Sequence, residues 1–416
     1  MDIRLKLAAC LLLLTVCTAG CNGGREIDDF AYVVSVGIDP GPDNQSIITY
    51  QIATGQGQGG KENGTGEAST FLITIVAPSL AEARNLLNSV VARTPNLSHT
   101  KAVIIGEDLA RQGIGDILGP LLRFREFRGS MFITVTRGSA QEFMQKNKPS
   151  MEKLPSRWLE NSLTSRQDTG YFLASNLHQF YTRLKSTSGA PYATYMGINP
   201  LDLQPKPVDN KDKGEEAVAY YPAGLGREGG DPAEVIGTAV FVADKMVGAL
   251  NNEETRVVSI LSGDFVRGFI TVTDPLAPQH GINVHLRLGQ KPEIKPAWLE
   301  GRLVFTIKLL LEGEITSIPS GINYENREYG LLLEQHIANV LTNQMEKMLA
   351  HTQELGSDVV GFGLHARNLF SNFSEVDQLN WYKIYPTVGF NLNVSVKTRR
   401  TGLMYKSSPI KTEADE

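Results

Sequence analysis

The pattern of apolar and polar residues predicts alternating strands and helices in the first third of the chain. Runs rich in β-branched residues and bounded by turn residues indicate strands. Apolar residues at helical spacing after a serine indicate helices, as in the segment after Ser79, where Glu82 completes a capping pattern. The predicted strands are 31–38, 46–53, 69–76, 101–105 and 131–135, and the predicted helices follow Ser79, run over 107–123 and follow Ser139. This alternation is typical of an α/β unit.

The rest of the chain predicts two further small units. Helices are predicted near 151–163 and 171–185, then a hairpin of strands 234–242 and 246–250 and a helix that opens at 252–255. Strands over 284–288, 302–315 and 387–396 enclose a long amphipathic helix over 326–355, which Gly356 ends. The sequence therefore predicts an α+β (mixed α/β) fold of three small domains, each a β-sheet with packed helices. Their predicted limits are 21–148, 149–275 and 276–402, with a disordered tail over 403–416.

The amino terminus has the pattern of an export signal. Arg4 and Lys6 precede the apolar stretch 7–20, which at 14 residues is shorter than the roughly 20 that a membrane-spanning helix needs. Thr18-Ala19-Gly20 places small residues before Cys21, which resembles the site where bacterial lipoproteins are lipidated and cleaved. Residues 1–20 are therefore predicted to be a lipoprotein signal peptide and Cys21 the lipidated residue. The alternative is an ordinary signal peptide with an incidental cysteine.

Composition excludes several classes of function. The 416 residues carry 40 Lys and Arg against 45 Asp and Glu, a net charge of −5, so no overall positive field favours a nucleic-acid partner. The three cysteines all lie at or before position 21, which excludes a disulfide, a cysteine-ligated metal or a catalytic cysteine in the folded body. A folded, water-exposed body on a lipid anchor is expected.

The motifs that carry chemistry elsewhere are incomplete in this chain. Gly55 to Lys61 has the spacing of a phosphate-binding loop, but Glu62 stands where Ser or Thr is needed. The seven histidines form no zinc-binding pattern. No catalytic residue, metal ligand or cofactor is therefore predicted.

Glu253, Glu254 and Arg256 are candidate interaction residues at the start of a predicted helix. Two carboxylates in the first turn favour the positive end of the helix dipole, and Arg256 is interpreted as free to make a forked contact with a partner. The alternative is that the three residues only cap the helix.

Five segments in order along the chain carry a resemblance to a known family. They are Arg25–Asp39, Leu97–Arg111, Gly237–Arg256, Ser357–Gly363 and Val396–Gly402. Together they resemble the Ger(x)C-family lipoproteins, the C subunits of nutrient germinant receptors of spores. The first two segments add Arg25, Glu26 and His99 to the candidate interaction residues.

The resemblance implies a non-enzymatic subunit lipid-anchored to the outer leaflet of the spore inner membrane. It would act with a polytopic A subunit and a transporter-like B subunit when nutrients trigger germination, and its fold would comprise three mixed α/β domains. We interpret its role as that of a scaffold. Two other classes stay open: a lipid-anchored solute-binding protein that captures the germinant directly, and a surface-anchored hydrolase.

Overall fold

A computed structural model of the chain describes residues 29–54, 70–152, 155–208, 219–370 and 380–400, and in addition positions 3, 4, 26, 375, 407 and 408. The predictions for Cys21, for Arg25 and for the loop from Gly55 to Lys61 lie outside the described residues. The same holds for the signal peptide apart from positions 3 and 4, and for the tail apart from positions 407 and 408.

The described strands form one sheet of ten strands and one of five. The strands of the larger sheet are β1 (Phe30–Pro40), β2 (Ser46–Ala53), β3 (Thr70–Ala77), β4 (Thr94–Asn96), β5 (Ala102–Gly106), β6 (Phe132–Thr136), β7 (Ser175–Asn176), β8 (Tyr192–Ile198), β9 (Ala233–Val242) and β10 (Lys245–Leu250). Their order is β10-β9-β8-β6-β5-β1-β2-β3, with β4 beside β1 and β7 beside β6. The four central strands β8, β6, β5 and β1 are parallel, and antiparallel hairpins extend the sheet on both sides.

The mixed α/β fold class is confirmed by these two sheets and their helices. Strands from the predicted first and second domains join in the larger sheet, because β8 pairs with β6 across the predicted limit at 148. The limits of the three domains stay predictions.

Helices cover the larger sheet. They are α1 (Leu80–Val90), α2 (Glu107–Gln112), α3 (Gly115–Arg123), α4 (Ala140–Lys146), α5 (Pro155–Thr164), α6 (Leu177–Lys185) and α7 (Asn252–Ser262). The predicted cap of α1 is confirmed, since the Ser79 hydroxyl accepts a hydrogen bond from the N–H of Glu82 (3.2 Å).

The single helix predicted over 107–123 is wrong. Gly113 has a φ of 128°, which interrupts the helix, and the turn between β9 and β10 packs at this break. There Asp244 accepts hydrogen bonds from the N–H groups of Ile114 (3.0 Å) and Gly115 (3.1 Å). In a continuous helix these two N–H groups would bond to carbonyl oxygens of the preceding turn. Here Asp244 accepts from them instead, so the break is stabilised by a residue distant in the sequence.

The smaller sheet contains the last five strands. They are β11 (Arg267–Thr273), β12 (Gly281–Leu288), β13 (Glu293–Leu299), β14 (Arg302–Ser317) and β15 (Gly389–Arg400). β11 pairs with β12, and β14 pairs with β13 along its first half and with β12 along its second half. β15 runs parallel to β14 on the opposite side. Three α-helices accompany the smaller sheet: α8 (Arg327–Glu354), α9 (Phe362–Ala366) and α10 (Trp381–Ile384).

The long helix α8 provides much of the core of this second unit. The amphipathic character predicted for this helix is confirmed by an apolar stripe in which Val340 is partly buried and five residues are fully buried: Leu333, Ile337, Leu341, Met345 and Met348. The same apolar cluster includes Leu173, Val240 and Leu250 from the larger sheet and its surroundings. The two sheets therefore share one continuous core at their junction.

Within the described ranges, no helix combines the length and the apolar character that crossing a bilayer requires.

Candidate functional site

The junction between the two sheets is organised by the loop that follows α8. Gly356 and Gly361 have φ values of 65° and 94°, a left-handed conformation that glycine adopts without a steric penalty. These two turns reverse the chain after the long helix. They bring residues 357–363 against strand β9 and the segment that precedes β8.

The carboxylate of Asp358 holds this loop together. Its Oδ1 accepts hydrogen bonds from the N–H groups of Gly361 (2.8 Å) and Phe362 (2.9 Å). Its Oδ2 accepts from the N–H of Gly363 (2.8 Å) and from the indole N–H of Trp381 (2.8 Å). Because Asp358 is only 1% exposed, its four donors depend on this one side chain for their partner.

Two opposing effects act on the ionisation of Asp358. Burial disfavours the charged form and raises the pKa of Asp358 above its ordinary value. The hydrogen bonds from three backbone N–H groups and from Trp381 favour the charged form and oppose that rise. A buried carboxylate enclosed by its own loop is suited to fixing backbone conformation.

The same loop is joined to the segment between α6 and β8 by backbone contacts. The N–H of Ala190 donates to the carbonyl oxygen of Asp358 (2.8 Å). The guanidinium of Arg183 donates to the carbonyl oxygens of Ala190 (3.2 Å) and Val359 (3.0 Å). It therefore bridges the two segments and also lies over the ring of Tyr192, 4.5 Å from its centroid.

Gly363 makes the closest approach at the junction. A Cβ atom at this position would lie 2.6 Å from the carbonyl oxygen of Ser188 and 2.8 Å from the ring of Trp381. Only glycine allows these two backbones to meet. Nearby, Ser357 donates from its hydroxyl to the carbonyl oxygen of Phe241 on β9 (2.8 Å).

A second polar cluster joins α7 to α8. Asn251 and Glu254 form a capping box, in which the Asn251 side chain accepts from the N–H of Glu254 and the Glu254 carboxylate accepts from the N–H of Asn251. The other Glu254 oxygen lies 2.7 Å from Nδ1 of His351 on α8. Glu254 therefore both caps one helix and links it to the next.

This pair makes stability depend on pH. The hydrogen bond to Glu254 raises the pKa of His351, assisted by the charges of Glu254 and Glu354 and opposed by burial. Because the folded-state pKa is above the unfolded value of about 6.5, the stabilisation is fully present below that value. It is lost as the pH rises through the folded-state pKa.

Replacing His351 with Gln should therefore destabilise the protein more in mild acid than in mild alkali. The His351 side chain is 30% exposed, so we expect a difference of at most about 1 kcal/mol in the free energy of unfolding. Denaturant unfolding of both proteins at several pH values measures it. Exposed His178 on α6, replaced with Gln, is the control. A His351→Gln effect that is independent of pH would contradict this account of the pair.

The structure places Glu253 and Arg256 inside the junction. Arg256 is 4% exposed, its Nη1 lies 3.1 Å from a carboxylate oxygen of Glu253, and its guanidinium lies 4.6 Å from the ring centroid of Tyr171. Burial raises the pKa of Glu253, and the charge of Arg256 opposes this rise. The interpretation of Arg256 as free for an outside contact is wrong, because internal partners already occupy the guanidinium.

The other candidate residues lie elsewhere. Exposed His99 follows β4 and packs edge-on against Tyr32 of β1, with ring centroids 4.9 Å apart. Exposed Glu26 donates its N–H to the carboxylate of Asp29 (3.0 Å). The structure brings Glu253, Glu254 and Arg256 together on α7, and His99 and Glu26 lie outside this group. Whether any of them contacts a partner stays a prediction.

Most residues that build the junction could not be identified from the sequence. Asp358 and Arg183 received no role, although Asp358 and Gly363 both lie in the segment Ser357–Gly363 that carries part of the resemblance. Trp381 is interpreted from the sequence as a core or domain-junction anchor, and the structure buries it at the junction. An aspartate followed by closely spaced glycines could have suggested a carboxylate enclosed by loop N–H groups.

The described part of the chain contains no group of three or more His, Cys, Asp or Glu that could hold a metal ion. A cleft of about 490 Å³ lies where β6 and β8 end, lined in part by Arg137, Ser139, Lys146 and Asn199. Lys146 is paired with Glu142 (2.6 Å), and Asn199 donates to Glu234 and to the carbonyl oxygen of Leu225. Several polar groups around this cleft are thus already partnered.

Comparisons with known proteins cover both halves of the chain. Residues 23–198 match the family model described as spore germination protein N-terminal domain. Residues 236–402 match the model described as spore germination B3/GerAC like, C-terminal.

Curated relatives from Bacillus subtilis (strain 168) match almost end to end. The putative spore germination protein YfkR is 24% identical over 413 residues, covering 96% of this chain and 97% of its own. Spore germination protein KC is 24% identical over 422 residues, covering 98% of each chain. The crystal structure of the GerBC protein is similar with a TM-score of 0.52 at 19% identity, over 88% of this chain and 96% of that one. At this identity the structural similarity concerns the fold.

Proposed function

The chain belongs to the GerAC-like family of spore germination proteins, and we propose that it is the lipid-anchored, non-catalytic C subunit of a nutrient germinant receptor. In this proposal Cys21 carries the lipid that holds the protein on the outer leaflet of the spore inner membrane. The folded body acts as a scaffold for the membrane-embedded A and B subunits.

The single observation that carries the proposal is the match of both halves of the chain to spore germination domains, arranged around one shared core. This family is one of germination proteins and is not known as an enzyme family. The buried charged groups described above serve internal contacts, as Asp358 and Arg256 illustrate. Internal contacts of this kind hold the folded body in one conformation, which suits a protein that binds other proteins through its surface.

Lipid anchoring gives the first test. Replacing Cys21 with Ala should move most of the protein from the membrane fraction to the soluble fraction. The reason is that each buried methylene of an acyl chain contributes about 0.8 kcal/mol to membrane binding. Quantitative immunoblotting of fractionated spores and the intact mass of the purified protein are the measurements.

Cys17 offers a matched control for this experiment, since it lies in the same amino-terminal segment. Cys17→Ala should leave both the membrane fraction and the added lipid mass unchanged. Full membrane retention of the Cys21→Ala protein, or an unacylated mature parent, would mean that the lipid anchor is not at Cys21.

The receptor role gives the second test. Spores that lack the gene should fail to release dipicolinate with at least one nutrient, and the restored gene should recover that response. The A and B subunits should co-purify with the tagged protein from detergent-solubilised spore membranes. Normal responses to every nutrient that triggers the parent spores would contradict the proposal.

A solute-binding protein is the second candidate, and the cleft at the ends of β6 and β8 is the observation that favours it. Calorimetry of the purified mature protein with amino acids and sugars that trigger germination separates the two roles. Tight binding that is lost in an Arg137→Ala variant would support direct capture of the germinant, whereas no heat of binding agrees with the scaffold.

A further inference from the structure

The edges of the two sheets differ in how well they are protected against pairing with another strand. An exposed edge is usually blocked by charged residues, proline, a bulge or a covering element. The edge strand β10 begins with Lys245, contains an irregularity in its pairing and packs against α2. In the smaller sheet, β13 carries Lys295 and Pro296, β11 carries Arg267 and β15 carries Lys397.

The strand at the other end of the larger sheet, β3, has no charge, no proline and no bulge, although α1 packs against it as α2 packs against β10. Its eight residues, Thr-Phe-Leu-Ile-Thr-Ile-Val-Ala, include no charge and no proline. Its pairing with β2 is regular from Thr70 to Ala77, without a bulge. Among the described strands, only β2 pairs with it.

The side chains of β3 are also unusually exposed for their type. Phe71 is 42% exposed and Val76 is 45% exposed. An apolar edge strand whose outer side pairs with no other described strand is the arrangement that invites an additional strand.

We propose that β3 pairs antiparallel with β3 of a second copy of this chain, so that the two larger sheets become continuous. The two copies would be related by a two-fold axis perpendicular to the sheet, so the same face of both sheets points in the same direction. Facing residues must then be an even number of positions apart in the sequence. A register centred on Thr74 satisfies this rule.

In that register every facing pair is uncharged. Leu72 faces Val76 and Ile73 faces Ile75, while Phe71 faces Ala77 and Thr74 faces its own copy. Cross-strand pairs of this kind are favourable, and like charges, which would oppose self-pairing of most strands, are missing. This self-complementarity is the reason to assign a second copy, and not a charged partner segment, as the occupant.

Disulfide trapping of the full-length chain in its native membrane tests the pairing. In an antiparallel pair at the axis, the two Cα atoms lie about 4.5–5.5 Å apart, within the range that a disulfide accepts. With Thr74→Cys we expect oxidation to convert much of the chain into a disulfide-linked dimer. The parent gives the background from its own cysteines. The control is Thr271→Cys, an exposed threonine on the edge strand β11, which should give no dimer above background.

A charge on the edge provides the second measurement. Thr74→Lys places two positive charges at the axis, so the number of copies of this chain in the detergent-solubilised assembly should fall from two to one. Thr271→Lys should leave the number of copies unchanged. The proposal is overturned if Thr74→Cys gives no more dimer than Thr271→Cys, if it links to a different protein, or if Thr74→Lys leaves a dimer intact.

Discussion

Replacing Asp358 with Ala is expected to lower the free energy of unfolding by about 3–5 kcal/mol, because four buried donors lose their acceptor at once. Each unsatisfied buried donor is costly, and water cannot replace the carboxylate without opening the loop. Denaturant unfolding followed by tryptophan fluorescence measures the change, since Trp381 itself is one of the four donors.

Two further variants show whether the carboxylate is responsible. Asp358→Asn keeps the shape but turns an amide group toward two donors, so we expect a loss smaller than that of Asp358→Ala and still clear. Asp264 is an exposed aspartate, and Asp264→Ala should change stability by no more than about 0.5 kcal/mol. Equal, small effects of Asp358→Ala and Asp264→Ala would refute the role given to this side chain.

Replacing Gly363 with Ala is expected to force the two segments of the junction apart. The new methyl group would lie within 2.8 Å of backbone atoms of Ser188 and of the ring of Trp381, neither of which is the flexible end of a side chain. We expect a destabilisation of about 3 kcal/mol, at the upper end of the usual range for overpacking.

Gly119 in the middle of α3 is the matched control. A Cβ there has open space around it, so Gly119→Ala should be neutral or stabilise the helix by up to about 1 kcal/mol. Hydrogen exchange should also show faster exchange of the Ala190 N–H, which bonds to Asp358, in the Gly363→Ala protein. Unchanged stability and unchanged exchange would mean that the junction tolerates a wider separation.

Much of the fold could be predicted from the sequence where local patterns are strong. The strand predicted over 46–53 matches β2 at both ends, and Ser79 caps α1 as expected. The long helix predicted over 326–355 corresponds to α8, because its apolar stripe and Gly356 are local features. Elements of this kind depend little on distant residues.

Elements that depend on distant partners were missed or misplaced. β8 was not predicted, although its pairing with β6 and β9 places it in the middle of the larger sheet. The helix predicted over 171–185 begins only at Leu177, because residues 175 and 176 first pair with β6. β11 and β13 were also missed, since their apolar residues alternate weakly and one contains proline.

The candidate site was predicted less well than the fold. Glu254 was selected for its place in a helix cap, but its link to His351 joins residues far apart in the chain. Asp358 binds mainly to its own loop, yet its burial arises from packing between two sheets, and no local pattern reports that packing. The sequence therefore identifies polar residues of interest, but it does not show whether their side chains bind other residues of this chain or another protein.

The parallel pairing of β15 with β14 has a consequence for the synthesis of the protein. The whole of α8 is translated between these two neighbouring strands, so the smaller sheet stays incomplete until residues 389–400 have been synthesised. A premature stop codon at position 389 would remove β15 and all that follows it, leave one side of β14 without its neighbour and uncover apolar residues of α8 to quality-control proteases. The codons for β15 are accordingly as sensitive to nonsense mutations as those for the middle of the chain.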